Sequence, residues 1–303
     1  MQHSRQARGL QLTVCGRTDV GRRRERNEDA FVISDLTTRD ISRDASLLPT
    51  QGPVRFEIGE RGVLLAVSDG LGGHPAGDIA SALVVEALSR SMARQPVPEA
   101  CCELLDSAVK RANHEVWEAS HSPWRRGMGA TLTAIFFHHK TAHIAEVGDS
   151  RAYLLRGGQI QQITHDQSYT QLLVDNGELR PSQARTSPRR NFVLQAMGLG
   201  TDIRAELGCL ALRDKDYFLL CSDGLSNAVR DSELRAILLE APTLDVACDR
   251  LVALANARGG DDNITAVVAG VSGDLPAFVF GERLSETHVV VQEFEPPLLP
   301  RLD

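Results

Sequence analysis

Two apolar runs in this chain end on the same four residues. Val63-Leu64-Leu65-Ala66-Val67 runs into Ser68-Asp69-Gly70-Leu71, and Tyr217-Phe218-Leu219-Leu220-Cys221 runs into Ser222-Asp223-Gly224-Leu225. Short runs of this composition, closed by Asp-Gly, read as strands that stop at a turn. Two further acids stand at strand ends: Asp149 follows the run 142–147, and Asp262 comes just before the run that starts at Ile264. Singly, each is an ordinary turn signal. Four acids at the ends of four strands can converge at one edge of a sheet sandwich, where carboxylates repel unless a cation lies among them. A fold that gathers these ends implies a metal.

The rest of the pattern suits such a sandwich. Runs at 10–15, 63–68, 131–137, 142–147, 151–155, 217–221 and 264–271 read as strands, with the third and fourth close enough for a hairpin. Helical periodicity marks 78–94 (Ile79, Leu83, Val84, Ala87, Leu88) and 99–119 (Leu104, Leu105, Ala108, Val109, Ala112, Val116), the second following Pro98 at its first turn. It returns at 231–239 and at 244–257, with Thr243 as N-cap and Gly259-Gly260 as the stop. Strands in hairpin-like succession and helices in pairs predict an α+β fold of antiparallel sheets covered by helical hairpins. Residues 36–61 and 176–191 read as surface excursions, the second as a flap. The run 288–291 in the proline-containing tail is either an added edge strand or a loose extension.

Composition narrows the partners. The 303 residues are 42% hydrophobic and 24% charged, as in soluble globular proteins, and the formal charge is −7. That field repels nucleic-acid backbones and anionic lipid, so no nucleic-acid partner is expected. No apolar run approaches the roughly 18–20 residues of a membrane span, and no apolar stretch follows the first basic residues, which leads to a cytoplasmic expectation. Six cysteines form no C-x-x-C pair and read as small buried groups in a reducing compartment. His138, His139, His143 and His165 read as structural. Aspartates without His or Cys suit Mg²⁺ or Mn²⁺ over zinc, and Gly70, lacking Cβ, lets its carbonyl approach an ion.

The segment 18–29 reads Thr-Asp-Val-Gly-Arg-Arg-Arg-Glu-Arg-Asn-Glu-Asp. Charge runs are ordinarily solvated faces. A guanidinium also grips phosphate with two parallel hydrogen bonds, and Glu28 and Asp29 follow within reach of the same cations. Anion grip and cation cradle together are what phosphoryl transfer requires.

With these motifs in view, the chain resembles the bacterial metal-dependent serine/threonine phosphatases of the protein phosphatase 2C family. The resemblance is carried by the segment 18–29, A-V-S-D-G-L-G-G-H-P-A-G at 66–77, M-G-A-T-L at 128–132, V-G-D-S-R-A-Y-L at 147–154, C-S-D-G-L at 221–225 and G-G-D-D-N-I-T-A-V at 259–267. It implies a β-sandwich of two antiparallel sheets flanked by pairs of helices, in four layers α-β-β-α, with two Mn²⁺ or Mg²⁺ ions at one end. On that resemblance Asp69 bridges the ions, Gly70 offers its carbonyl, Asp223 and Asp262 complete one shell, and Glu28 serves the other. Asp29 steadies coordinated water, Asp149 with Asp223 holds a third, weaker ion, and Arg24 binds the phosphate, leaving Arg22, Arg23 and Arg26 as surface charges. Cations lower the pKa of water from about 15.7 towards neutrality, so the expected nucleophile is a hydroxide between the two ions. His74, just after the Asp69-Gly70 turn, is the candidate proton donor to the leaving alkoxide.

The expected organisation is an N-terminal segment 1–9, a catalytic domain 10–272 and a C-terminal extension 273–303. The expected activity is hydrolysis of phosphoserine and phosphothreonine in phosphoprotein substrates, by a monomer that opposes a cognate serine/threonine kinase. Two alternatives stay open: a phosphatase-like regulatory binding module, and a phosphoesterase for a small molecule, because a shared centre does not name the leaving group. The 164–168 stretch departs from the family pattern, so Asp166 is given no metal role.

Overall fold

A computed structural model describes residues 9–37, 40–43, 52–71, 76–98, 100–283 and 286–296. In chain order the strands are β1 (Gln11–Asp19), β2 (Asp29–Asp35), β3 (Asp40–Arg43), β4 (Val54–Glu57), β5 (Val63–Asp69), β6 (Leu132–His138), β7 (Thr141–Val147), β8 (Arg151–Arg156), β9 (Gln159–Gln162), β10 (Glu206–Ala211), β11 (Tyr217–Cys221), β12 (Ile264–Ser272) and β13 (His288–Gln292). The helices are α1 (Gly77–Arg94), α2 (Cys101–Ala119), α3 (Tyr169–Asp175), α4 (Pro181–Ala184), α5 (Asp223–Ser226), α6 (Asp231–Glu240) and α7 (Leu244–Ala257). None of the described helices is long and apolar enough to cross a membrane.

The strands form two antiparallel sheets, ordered β4-β1-β12-β11-β8-β9 and β13-β10-β7-β6-β5-β2-β3. The run in β5 explains the layering. Leu64 and Ala66 pack with Val84, Leu88, Leu105 and Val109 of α1 and α2, while Val63, Leu65 and Val67 pack with Phe137, Phe218 and Leu220 between the sheets. A strand buried on both faces has no solvent side, which is why its sequence is continuously apolar rather than alternating. On the other sheet, Leu219, Val268 and Ala266 meet Leu234, Cys248 and Leu251 of α6 and α7. The result is the expected α-β-β-α sandwich.

The hairpin of β6 and β7 forms as the sequence predicts, with His138 opposite Thr141 and His139 at φ 48° in the turn. Three expectations change in detail. α2 begins at Cys101 with Ala100 at its N-cap, so Pro98 precedes the helix. Thr243 stands at the N-cap of α7 but makes no side-chain bond to the helix backbone. Its hydroxyl turns to Asp245. The excursion 36–61 holds β3 and β4, which add to opposite sheets as edges next to β2 and β1. Edge strands bury little and tolerate charge, so they leave a weak apolar signal. The tail resolves as an edge strand, with β13 paired to β10. All six cysteines are free, four of them buried. His165 bonds Asp175 at 2.8 Å, and His138 and His143 contact Cys101 and Cys102, partners that the sequence did not suggest.

Candidate metal centre

Antiparallel pairing places the acids together. In one sheet the end of β1 meets the start of β12 (Asp19 opposite Ile264), and the end of β11 lies beside the starts of β12 and β8 (Cys221 opposite Ala266 and Arg151). In the other, Asp29 at the start of β2 faces Asp69 at the end of β5. Asp149, Asp223 and Asp262 therefore stand across the end of the sandwich from Asp69. With Arg24, Gly70 and Thr131 they line a cavity of about 300 Å³, closed on one side by Phe192 and Val193, which follow the flap.

Crowded, buried carboxylates hold their protons. Burial pushes Asp69 well above the usual range, and the Asp29, Asp223, Asp149 and Asp262 charges push it further. Asp149 is raised in the same way, by burial and then by Asp223 and Asp166. Burial and Asp262 bring Asp223 to about 6, against a hydrogen bond from Asp69. Asp29 rises to about 7 by burial, although Ser222 and Thr265 both donate to its Oδ2, at 2.7 and 2.6 Å. Glu28 is raised by burial and held back by Arg24.

The donor set fits a hard cation. Asp29 Oδ1 and Asp223 Oδ1 are buried without any partner. Like charges stand directly opposite each other at Asp29 and Asp69, an arrangement that destabilises a sheet unless something positive offsets it. The candidate ligand atoms are all oxygens, the choice of Mg²⁺ and Mn²⁺. Among the described residues no three His, Cys, Asp or Glu side chains close on a single point. Asp69, Asp149, Asp223 and Asp262 line the cavity walls instead. Gly70 belongs here for lack of space: a Cβ would stand 2.4 Å from the Gly77 carbonyl oxygen.

The remaining sequence-predicted residues fall as follows. Arg24 reaches into the cavity, with Nη2 2.8 Å from Asp262 Oδ2. Arg23 turns outward to Asp261. Glu28 packs against Gly77 at the edge, its backbone oxygen accepting the Gly70 N–H, and is not among the residues lining the cavity. Asp29 lies behind the wall on Ser222 and Thr265. His74 lies outside the described residues. Asp166 forms a two-pronged pair with Arg151, consistent with its having no metal role.

Sequence reasoning missed the groups that hold the acids in place. Thr131 Oγ1 accepts the Asp69 N–H at 2.9 Å and meets Ser150 Oγ at 2.7 Å. Asn263 ties down the arginine loop: its Nδ2 donates to Val20 and Arg26 carbonyls, and its Oδ1 accepts the Glu28 N–H at 2.8 Å. A single polar side chain next to Asp262 carries no periodic signal; only its place directly before β12 hinted at a role. Asn263→Ala is expected to weaken Mn²⁺ binding by about 10–100-fold, the usual cost of losing such a support. A titration showing an unchanged Mn²⁺ requirement would count against this role.

Residues 42–264 match the protein phosphatase 2C family. The chain is 40% identical over 209 residues to the serine/threonine protein phosphatase PstP of Mycobacterium tuberculosis, covering 69% of this chain and 40% of that protein's length. It is 34% identical over 256 residues to the serine/threonine phosphatase stp of Listeria monocytogenes, covering 83% of this chain and 93% of the relative. The crystal structure of the PstP catalytic domain in complex with two manganese ions superposes with a TM-score of 0.70 at 34% identity, covering 87% of this chain and 99% of that one. Motifs, sandwich and acid-lined cavity thus agree with descent from one family, and the chain belongs to the protein phosphatase 2C family.

Proposed function

We propose that the chain is a metal-dependent protein phosphatase that hydrolyses phosphoserine and phosphothreonine. The observation that carries this reading is one cavity holding both kinds of group the reaction needs: carboxylates with unpartnered buried oxygens, and an arginine beside them. Asp69, Asp223, Asp262, Glu28 and the Gly70 carbonyl would hold two Mn²⁺ or Mg²⁺ ions, and Asp149 with Asp223 a third. Bound there, such ions supply Lewis acidity and a water of lowered pKa.

The protein's own groups do the rest. Arg24 spends one N–H on Asp262 and keeps other donors of its fork for phosphate oxygens. Asp29, fixed by two hydroxyls on Oδ2, keeps Oδ1 as an acceptor for water. Phe192, 62% exposed, and Leu199 give the mouth an apolar rim that suits a polypeptide around the phosphate. His74 is proposed as proton donor to the leaving alkoxide on its sequence position alone. We further propose a single catalytic domain over 10–272, a cytoplasmic monomer and a cognate serine/threonine kinase whose products are its substrates.

With Mn²⁺ the protein is expected to hydrolyse p-nitrophenyl phosphate and a phosphothreonine peptide, and to lose both activities in EDTA. Turnover retained in EDTA rejects the reading. Faster turnover of a metabolite panel than of phosphoproteins would favour the small-molecule alternative. Arg24→Ala is expected to raise KM for the phosphopeptide by about tenfold, the worth of a charge-assisted bond, with Arg24→Lys recovering only part because it lacks the fork.

A further inference from the structure

A second cavity, of about 370 Å³, opens away from the metal centre at the edge of the sandwich, within the size range of small-ligand pockets. One sheet ends there at β9 and the other at β13. The loop after β9, helix α3 and residues 293–296 of the tail close the gap between them. Its wall next to the metal centre is the segment 191–194: Val193 lines the metal cavity, and Leu194 lines this one.

Among the described lining residues four are acids and one, His165, is a base. Asp166 is spoken for by Arg151, and Asp175 by His165, which leaves Glu206 and Glu293. None of the described lining residues is Lys or Arg. The backbone N–H of Phe294 and the charge of His165 only partly offset the burial that raises the Glu206 carboxyl.

A separate observation lies under Glu206. Glu146 on β7 stands directly opposite it and is only 1% exposed; the Thr133 hydroxyl across the β6–β7 pair is its side-chain contact, and burial still pushes its carboxyl well up. Glu146 lines a chamber of about 10 Å³ together with Glu206 and Val290, the two residues that also wall the larger cavity. Two acids side by side on the inner strands β7 and β10, one of them fully buried, cost stability unless a proton or a cation neutralises them. The other walls, Leu172, Leu194, Val290 and Phe294, are apolar.

We propose that this cavity binds an organic cation with an apolar stem, a guanidinium or alkylammonium group whose head meets Glu206 and Glu293 while its methylenes lie along Leu172, Leu194, Val290 and Phe294. The complementarity is that of a long basic side chain, apolar along its length and charged at its tip. The source is either such a side chain in a bound protein or a free cation.

The test uses the full chain with Mn²⁺ saturating, which keeps the probe off the carboxylates of the metal centre. Nα-acetylarginine amide and its uncharged counterpart Nα-acetylcitrulline amide are titrated by calorimetry. The arginine probe is expected to bind saturably and about tenfold more tightly than the citrulline one. Glu206→Gln should weaken it about tenfold, and the exposed Glu293→Gln about two- to fivefold, with turnover of p-nitrophenyl phosphate unchanged in both. Both substitutions keep side-chain volume, and Glu206→Gln relieves the repulsion with Glu146, so folding is not put at risk.

Phosphothreonine peptides carrying one arginine at successive positions separate the two sources. A KM minimum at one offset, abolished by Glu206→Gln, assigns the site to a basic side chain of the substrate. A flat KM with probe binding intact assigns it to a free cation. No saturable binding of the arginine probe, equal binding of citrulline, or indifference to both variants overturns the proposal.

Discussion

Replacing Asp69 by Asn is expected to lower kcat/KM for Mn²⁺-supported hydrolysis by about 10³-fold and, at the same time, to make the metal-free protein more stable. The first effect follows from the position of Asp69, at the end of β5 facing Asp29 and across the cavity from Asp149, Asp223 and Asp262. Removing a carboxylate proposed to position cations forfeits on the order of 4 kcal/mol of charge stabilisation in the transition state, and each ~1.4 kcal/mol is a factor of ten. The second follows from the same crowding. An amide in that place no longer repels its neighbours, and each ~1 kcal/mol so relieved raises the melting temperature by about 2–4 °C in a domain of this size. Steady-state kinetics with Mn²⁺ and thermal unfolding in EDTA read the two effects separately. Full turnover in Asp69→Asn would show that Asp69 is not needed to hold the metal, and a lower metal-free melting temperature would contradict the repulsion argued for the metal-free cluster.

The metal-free protein should lose stability between about pH 4 and 7, where most proteins gain it or hold steady. Asp29 and Asp223 titrate in the folded state near 7 and 6, and Asp69 and Asp149 are also raised. In the unfolded chain all four titrate near 4. Over this window the folded state binds more protons than the unfolded one, so unfolding free energy falls as pH rises. The contribution of these groups is complete below the unfolded values and is gone once pH passes the folded ones. Cations reverse the trend, because they take the place of those protons and release them on binding. At pH 7.5, Mn²⁺ at about a hundred times its Kd is expected to add ~2.7 kcal/mol, or about 5–10 °C in melting temperature. The gain should shrink towards pH 5 as protons compete. A pH-independent metal-free melting temperature, or an equal Mn²⁺ shift at pH 5 and 7.5, contradicts this account of the cavity.

Much of the architecture was legible because burial on two faces writes itself into local sequence. β5 and β11 are continuous apolar runs since helices cover one side and the opposite sheet the other. α7 spans the residues its period predicts, 244–257. The elements that escaped reading lie where burial is one-sided or broken. β4 buries Phe56 alone among four residues, and β10 carries Gly208, which interrupts the apolar pattern. β2 was hidden because it begins on Asp29, at the end of a charged run, and its apolar stretch is only Ala30-Phe31-Val32-Ile33 before Ser34 and Asp35.

What the sequence by itself determined was the chemistry available at the site: acids at strand ends, glycine after aspartate, and an arginine-rich loop before β2. Those follow from residue identity and short-range spacing. Only the tertiary structure decided which groups share a cavity. Antiparallel register sets Asp29 against Asp69, and Asn263 pins a loop more than two hundred residues away in the chain. It likewise decided that the tail adds a strand to β10 and so walls a second, acidic cavity over the buried Glu146. Such pairings join residues far apart in sequence through hydrogen bonds and charge, which act over a few ångströms of space and leave no mark in the order of the letters.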